Sequence, residues 1–295
     1  MHKDEIEIDV GLVAHLVEAQ FPQWARLPLS RTGAHGTDHA IFRLGDDLAV
    51  RLPRHPGAAE QVEKEGRWSP WLAPRLPAPI PAPMGRGAPS EAYPYPWSIS
   101  PWLEGETAAE LELSGDVGLG RELGAFVTAL RSTPAENAPG PGQHNAWRGV
   151  ALKARDKATR RAIDELGDRI DSKAALAAWE AALDAPAWEA ASVWLHGDLM
   201  PSNLLLRDGH LAGVLDFGCM GVGDPACDLI PGWNLLAGEG RAAFREASGA
   251  DEASWARGRG WALSVALIQL PYYQDSNPVI AANARRTIGQ VLGEA

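Results

Sequence analysis

Three side chains in this 295-residue sequence have the types and spacing to take a proton from a hydroxyl beside a hard cation. Asp198 stands within His196-Gly197-Asp198-Leu199-Met200-Pro201-Ser202-Asn203, and a second acid opens Asp216-Phe217-Gly218. A carboxylate can orient and deprotonate a hydroxyl, while amide and carboxylate oxygens are the ligands a magnesium ion prefers. Asn203, placed five residues after Asp198, can reach such an ion and leave Asp198 for the hydroxyl. His196 also invites a catalytic role, but its setting suits a packing and hydrogen-bonding residue that supports the loop.

The two segments have the order of a kinase catalytic loop, H-x-D-L-x-x-x-N, followed by D-F-G. Phosphoryl transfer asks for a carboxylate to handle the attacking hydroxyl and for oxygen ligands to magnesium bridging the phosphates. Asp198, Asn203 and Asp216 fit those roles. Either tripeptide alone is a weak signal, and its plain alternative is a turn or a strand end. The combination, with Asn203 and Leu199 both in place, is specific.

The elements that must position these groups are readable in outline. Val10, Val13, Leu16 and Val17 recur at helical spacing behind an Asp9 N-cap. From Leu29 to Arg54, apolar stretches are separated by Gly33-Ala34-His35-Gly36 and Gly45-Asp46-Asp47, which predicts three antiparallel strands. A helix over Ala58 to Leu72 stops at Pro74, Pro77 and Pro79, and Trp97-Ser98-Ile99 reads as a strand. Leu119, Leu123, Phe126, Val127 and Leu130 form a helical face, and Ala151 to Leu183 has helical composition. Trp194-Leu195, Leu204 to Leu206 and Leu211 to Phe217 are brief strands, and several helices follow Ala226. Trp24, Trp68, Trp71 and Trp179 are expected to pack in the core. The reading is α+β and two-lobed, with an antiparallel sheet and helix in residues 1–101, a hinge over 102–106 and a mostly helical part over 107–295.

Composition narrows the partners. Hydrophobic residues at 45 % and charged residues at 22 % place the chain among ordinary globular proteins and exclude disordered and fibrous classes. A net charge of -11 would repel a phosphate backbone, so nucleic acid is not an expected partner, and a cationic small molecule is favoured. Cys219 and Cys227 suit neither a zinc knuckle nor a redox pair. No apolar run approaches a membrane span or a signal sequence, so a cytoplasmic location is expected.

The segments HGDLMPSN and LDFGCMGVGDPACDL together resemble the aminoglycoside phosphotransferase and choline kinase family. The resemblance implies a two-lobed protein-kinase-like fold and transfer of the γ-phosphoryl group of ATP or GTP to a small-molecule hydroxyl. It implies Asp198 as base, Asn203 and Asp216 as magnesium ligands, and Asp224 and Asp228 as acids that brace the second lobe. It also places a phosphate-approaching loop at Gly33, Gly36 and Thr37 and a base-reading backbone at Pro101 and Leu103. The strand Ala49-Val50-Arg51-Leu52 is similar to V-A-I-K, with Arg51 where lysine is usual; its implied partner is Glu65, with Glu63 as the alternative. Gly223-Asp224-Pro225 follows Gly218 too soon to leave room for a peptide platform, so the acceptor is expected to be small, with the 138–191 region and the last helices around it. An aminoglycoside-like antibiotic is the first expectation. A metabolite of choline, homoserine or fructosamine type, or an inactive nucleotide-binding scaffold, are the alternatives.

Overall fold

Period-two alternation decides how the first part of the chain folds. The computed structural model describes residues 6–32, 38–111, 113 and 115–293. In it β1 (Leu29–Arg31), β2 (His39–Leu44), β3 (Leu48–Pro53), β4 (Gly85–Gly87) and β5 (Trp97–Pro101) form one antiparallel sheet, ordered β1-β2-β3-β5-β4. Alternate residues of a strand face opposite sides. Ala40, Phe42 and Leu44 therefore join Val50, Leu52, Trp97 and Ile99 on one face, where Val13, Leu16 and Val17 of α1 (Val10–Gln20) complete a buried core. Arg51, in register with Ile41 and Ser98, belongs to the other face, and α2 (Pro56–Leu72) packs against β3 and β5.

Local signals explain the ends of these elements. Asp9 accepts the Leu12 N–H at 2.7 Å and starts α1 where the sequence placed it. α2 begins ahead of Ala58 because His55 caps it, accepting the Ala58 N–H at 3.3 Å, with Pro56 in its first turn. β4 was not expected. Its Gly87 lies on the Trp97 ring, where a Cβ would come within 1.9 Å, so close packing required a residue with no strand preference.

The chain divides into two compact units, residues 1–104 with 213–218, and residues 105–212 with 219–295. Residues 213–218 depart from the division expected from the sequence, in which all of 107–295 belongs to the second part. Val214 N–H donates to the Pro79 carbonyl at 3.0 Å, and Lys64 Nζ donates to the Gly218 carbonyl at 2.6 Å, which ties the segment to the first unit.

The second unit contains α3 (Val117–Ser132), α4 (Asp156–Leu166), α5 (Ser172–Leu183), α6 (Pro231–Asn234), α7 (Gly238–Ser248), α8 (Glu252–Tyr273) and α9 (Pro278–Leu292). α3 buries the five apolar residues that predicted it and packs closely on α7. The stretch 151–183 is two helices: Gly167, at φ 50°, ends α4, and Asp171 caps α5 on the Ala174 N–H at 2.9 Å. α8 is buried around much of its girth and contacts α4, α5 and α9, as suits a helix with apolar residues on all sides. Short strands β6 (Glu106–Thr107), β8 (Leu204–Arg207) and β9 (His210–Val214) form one sheet, and β7 (Val193–Leu195) pairs with β10 (Gly221–Gly223). The strand expected to run through Phe217 stops at Val214, because Asp216 turns into left-handed backbone at φ 59°.

Of the tryptophans expected in the core, Trp179 is buried and donates to Asp156 at 2.7 Å. Trp71 instead is 39 % exposed, with the Arg75 guanidinium 3.4 Å from its ring centroid. Among the described residues, no helix is long and apolar enough to cross a membrane.

Candidate active site

In the second unit, β7 delivers its chain directly into His196-Gly197-Asp198. The turn that follows is held from below by Asp228, whose carboxylate accepts the His196 N–H at 2.6 Å and the Gly197 N–H at 2.8 Å. Asp228 is fully enclosed, and burial pushes its carboxyl above the ordinary range against the pull of those donors. Gly197 sits at φ 82°, and a Cβ there would stand 2.6 Å from the Cys219 carbonyl oxygen, so only glycine fits the middle of the motif. The acid at Asp224 has a related bracing place. It forms a two-pronged pair with Arg257 at 2.8 and 3.2 Å, and both side chains are 4 % exposed.

Above this base, His196 Nδ1 accepts the Asp198 N–H at 3.1 Å, and the ring is wholly buried. His196 is thus a brace for the loop. The Asp198 side chain remains 26 % exposed. Asn203 Nδ2 donates to the Asp198 carbonyl at 2.9 Å and to Asp198 Oδ2 at 3.2 Å, while Asn234 Nδ2 fastens Leu199 through its carbonyl at 3.1 Å. The five-residue spacing is therefore a closed turn in which Asn203 steadies Asp198. Arg148, 8 % exposed, brings Nη2 to 3.5 Å from Asp198 Oδ1.

The first unit holds the remaining groups. Arg51 Nη1 lies 2.8 Å from Glu65 Oε2, with the two side chains 12 % and 4 % exposed. Burial pushes the Glu65 carboxyl upward while Arg51 opposes it, and Glu65 in turn holds the Arg51 guanidinium firmly in its charged form. Glu63, the alternative partner, pairs with Arg86 at the surface at 2.6 Å. Asp216 is exposed on its left-handed turn and accepts the Gly218 N–H at 3.2 Å. Pro101 ends β5 opposite Leu48, and Leu103 lies half-buried just beyond, after Trp102 has donated its N–H to the Asp47 carbonyl at 2.7 Å. Gly33, Gly36 and Thr37 lie outside the described residues.

The oxygen chemistry of Asn203 and Asp216 suits magnesium, which is commonly bound through one or two protein oxygens together with phosphates and waters. Among the described residues there is no cluster of three or more His, Cys, Asp or Glu of the kind that cages a metal with protein alone. Sequence reasoning missed Arg148, Asn234, Arg257 and Lys64. None belongs to a motif, and each reaches its contact from a segment distant in sequence.

A family model described as the phosphotransferase enzyme family matches residues 31–261. An aminoglycoside 3'-phosphotransferase of Escherichia coli is 26 % identical over 223 residues, spanning 72 % of this chain and 78 % of that protein. Among solved structures, the GDP and kanamycin complex of APH(2")-IIia superposes with a TM-score of 0.73 at 16 % identity, covering 96 % of this chain and 98 % of the other. The apoenzyme of macrolide 2'-phosphotransferase MphH from Brachybacterium faecium gives a TM-score of 0.62 at 24 % identity, with the same coverage of 96 % and 98 %. The structural likenesses establish a shared kinase-like α+β fold.

Proposed function

This chain belongs to the phosphotransferase enzyme family, and from that premise we propose that it transfers the γ-phosphoryl group of ATP or GTP to a hydroxyl of an aminoglycoside-like antibiotic. The observation that carries the reading is the state of Asp198. It is a partly exposed carboxylate on a loop whose backbone is fixed by Asp228 and His196 and whose side chain is steadied by Asn203. Such a group is prepared to orient an acceptor hydroxyl and take its proton.

The other roles follow from chemistry. Asn203 and Asp216 offer one amide and one carboxylate oxygen to magnesium. When bound, that ion neutralises charge on the phosphates as the transfer proceeds. Arg51, kept charged and directed by Glu65, contacts phosphate oxygens, for which its planar fork is suited. Backbone N–H groups at Gly33, Gly36 and Thr37 approach the phosphates, and the backbone at Pro101 and Leu103 reads the base.

Two observations support an aminoglycoside-like acceptor. The curated relatives phosphorylate aminoglycosides by name, and a chain of net charge -11 favours a polycation. Nucleotide consumption in the presence of magnesium, measured against kanamycin, gentamicin, a macrolide and a set of hydroxylated metabolites, tests the proposal. Turnover with an aminoglycoside supports it. Turnover confined to a macrolide or a metabolite reassigns the acceptor, and nucleotide binding without any turnover indicates a scaffold.

A further inference from the structure

Arg148 approaches Asp198 from a turn with an uncommon backbone. Ala146 and Trp147, neither of them glycine, stand at φ 50° and 58°, and Gly149 follows at φ 82°. Such conformations persist only where the surroundings enforce them. Here buried Asn145 accepts the Gly142 N–H at 3.0 Å and donates to the Arg148 carbonyl at 3.3 Å. Arg148 N–H donates to the Asn145 carbonyl at 3.0 Å, and the Gly149 carbonyl accepts the Asp224 N–H at 2.8 Å. The turn is pinned at both ends, and Arg148 is directed inward.

Its side chain runs across Gly197, where a Cβ would come within 3.0 Å of Arg148 Cγ. The guanidinium carbon then lies 5.9 Å from the centroid of the buried Trp261 ring, which also carries Arg155 at 4.5 Å. This is an unfavourable place for a second cation, and burial together with Arg148 drives Arg155 down to about 9. Arg148 Nε is buried with no hydrogen-bond partner among the described residues. A side chain that only filled this space would be better apolar. Two carboxylates offset this: the buried Asp228, whose charged form Arg148 favours, and Asp198, which its Nη2 approaches directly. At 3.5 Å the contact is longer than a normal hydrogen bond, and it places a positive charge beside the carboxylate.

We propose that Arg148 is a positioning residue for phosphoryl transfer, its guanidinium holding the Asp198 carboxylate in the orientation that meets the acceptor hydroxyl. The inference rests on the reading of Asp198 as the base, so Asp198→Ala is measured first, with the acceptor that gives turnover. If Asp198→Ala keeps wild-type turnover, the reading of the site fails. If Asp198→Ala is inactive, Arg148→Gln and Arg148→Lys are compared for kcat, nucleotide KM and melting temperature. Arg148→Gln is expected to lower kcat by about 10- to 100-fold, the scale of a misplaced reacting group, with nucleotide KM and melting little changed. Arg148→Lys, which restores a cation, recovers a substantial part of that loss. The proposal is overturned if Arg148→Gln keeps kcat within about twofold of wild type, if its loss lies in nucleotide KM, if lysine recovers nothing, or if both variants fail to fold.

Discussion

Arg51 and Glu65 form a buried pair that can be broken from either side, which makes their contribution measurable. Removing one partner of such a pair leaves the other charge uncompensated, at a cost of about 3–5 kcal/mol. Glu65→Gln is therefore expected to lower the melting temperature and raise nucleotide KM, with kcat less affected; unchanged nucleotide KM would separate the pair from the phosphates. His39, on the same sheet, is held down to about 3 from its usual 6.5, first by burial and next by Arg51. The unfolded chain thus binds one more proton than the folded one between those two values. The stability contributed by the neutral ring is whole above pH 6.5 and is lost as pH falls through the window, at about 1.4 kcal/mol per pH unit. Urea unfolding between pH 6.5 and pH 4 should show wild type losing more stability on acidification than His39→Gln, the difference between the two isolating this contribution. Asp198, Asn203 and Asp216 stood out in the sequence because loop chemistry requires fixed spacings. Arg148 did not, since its contact with Asp198 depends on a left-handed turn at Ala146 and Trp147 that carries no glycine to announce it.

At the scale of elements, close packing between helices is set by what is missing from side chains. A Cβ on Gly124 of α3 would lie 2.5 Å from Ala247 Cβ and 2.8 Å from Ser248 N on α7, and one on Gly120 would lie 2.3 Å from the Gly240 carbonyl. Gly124→Ala is predicted to destabilise the protein by about 1–3 kcal/mol through overpacking, despite alanine's better helix preference. Gly115→Ala, which meets nothing within 4 Å, serves as its control in thermal unfolding. Periodicity and caps disclosed α1 and α3, because Asp9, Asp116 and the apolar stripes act locally. β4 was hidden by its glycines, and the break after α4 was hidden by helical residues on both sides of Gly167. Both depend on contacts that local preference does not record.

For the molecule as a whole, the two units are interleaved in sequence: 213–218 returns to the first unit between stretches of the second. A fragment ending at Glu104 would lose the bonds from Val214 to Pro79 and from Lys64 to Gly218, so the first unit depends on residues far along the chain. This return was illegible beforehand because Leu211 to Gly218 reads as a single strand, whereas Asp216 bends it. The family match over residues 31–261 spans both units and includes Asp198, the side chain proposed to handle the proton. Phosphorylated product formed by Asp198→Ala and by wild type, each saturated with magnesium nucleotide and acceptor, tests this assignment directly. If Asp198 is the base, kcat falls about 10²- to 10⁴-fold in the variant with nucleotide binding retained; product formation at the wild-type rate would rule that role out.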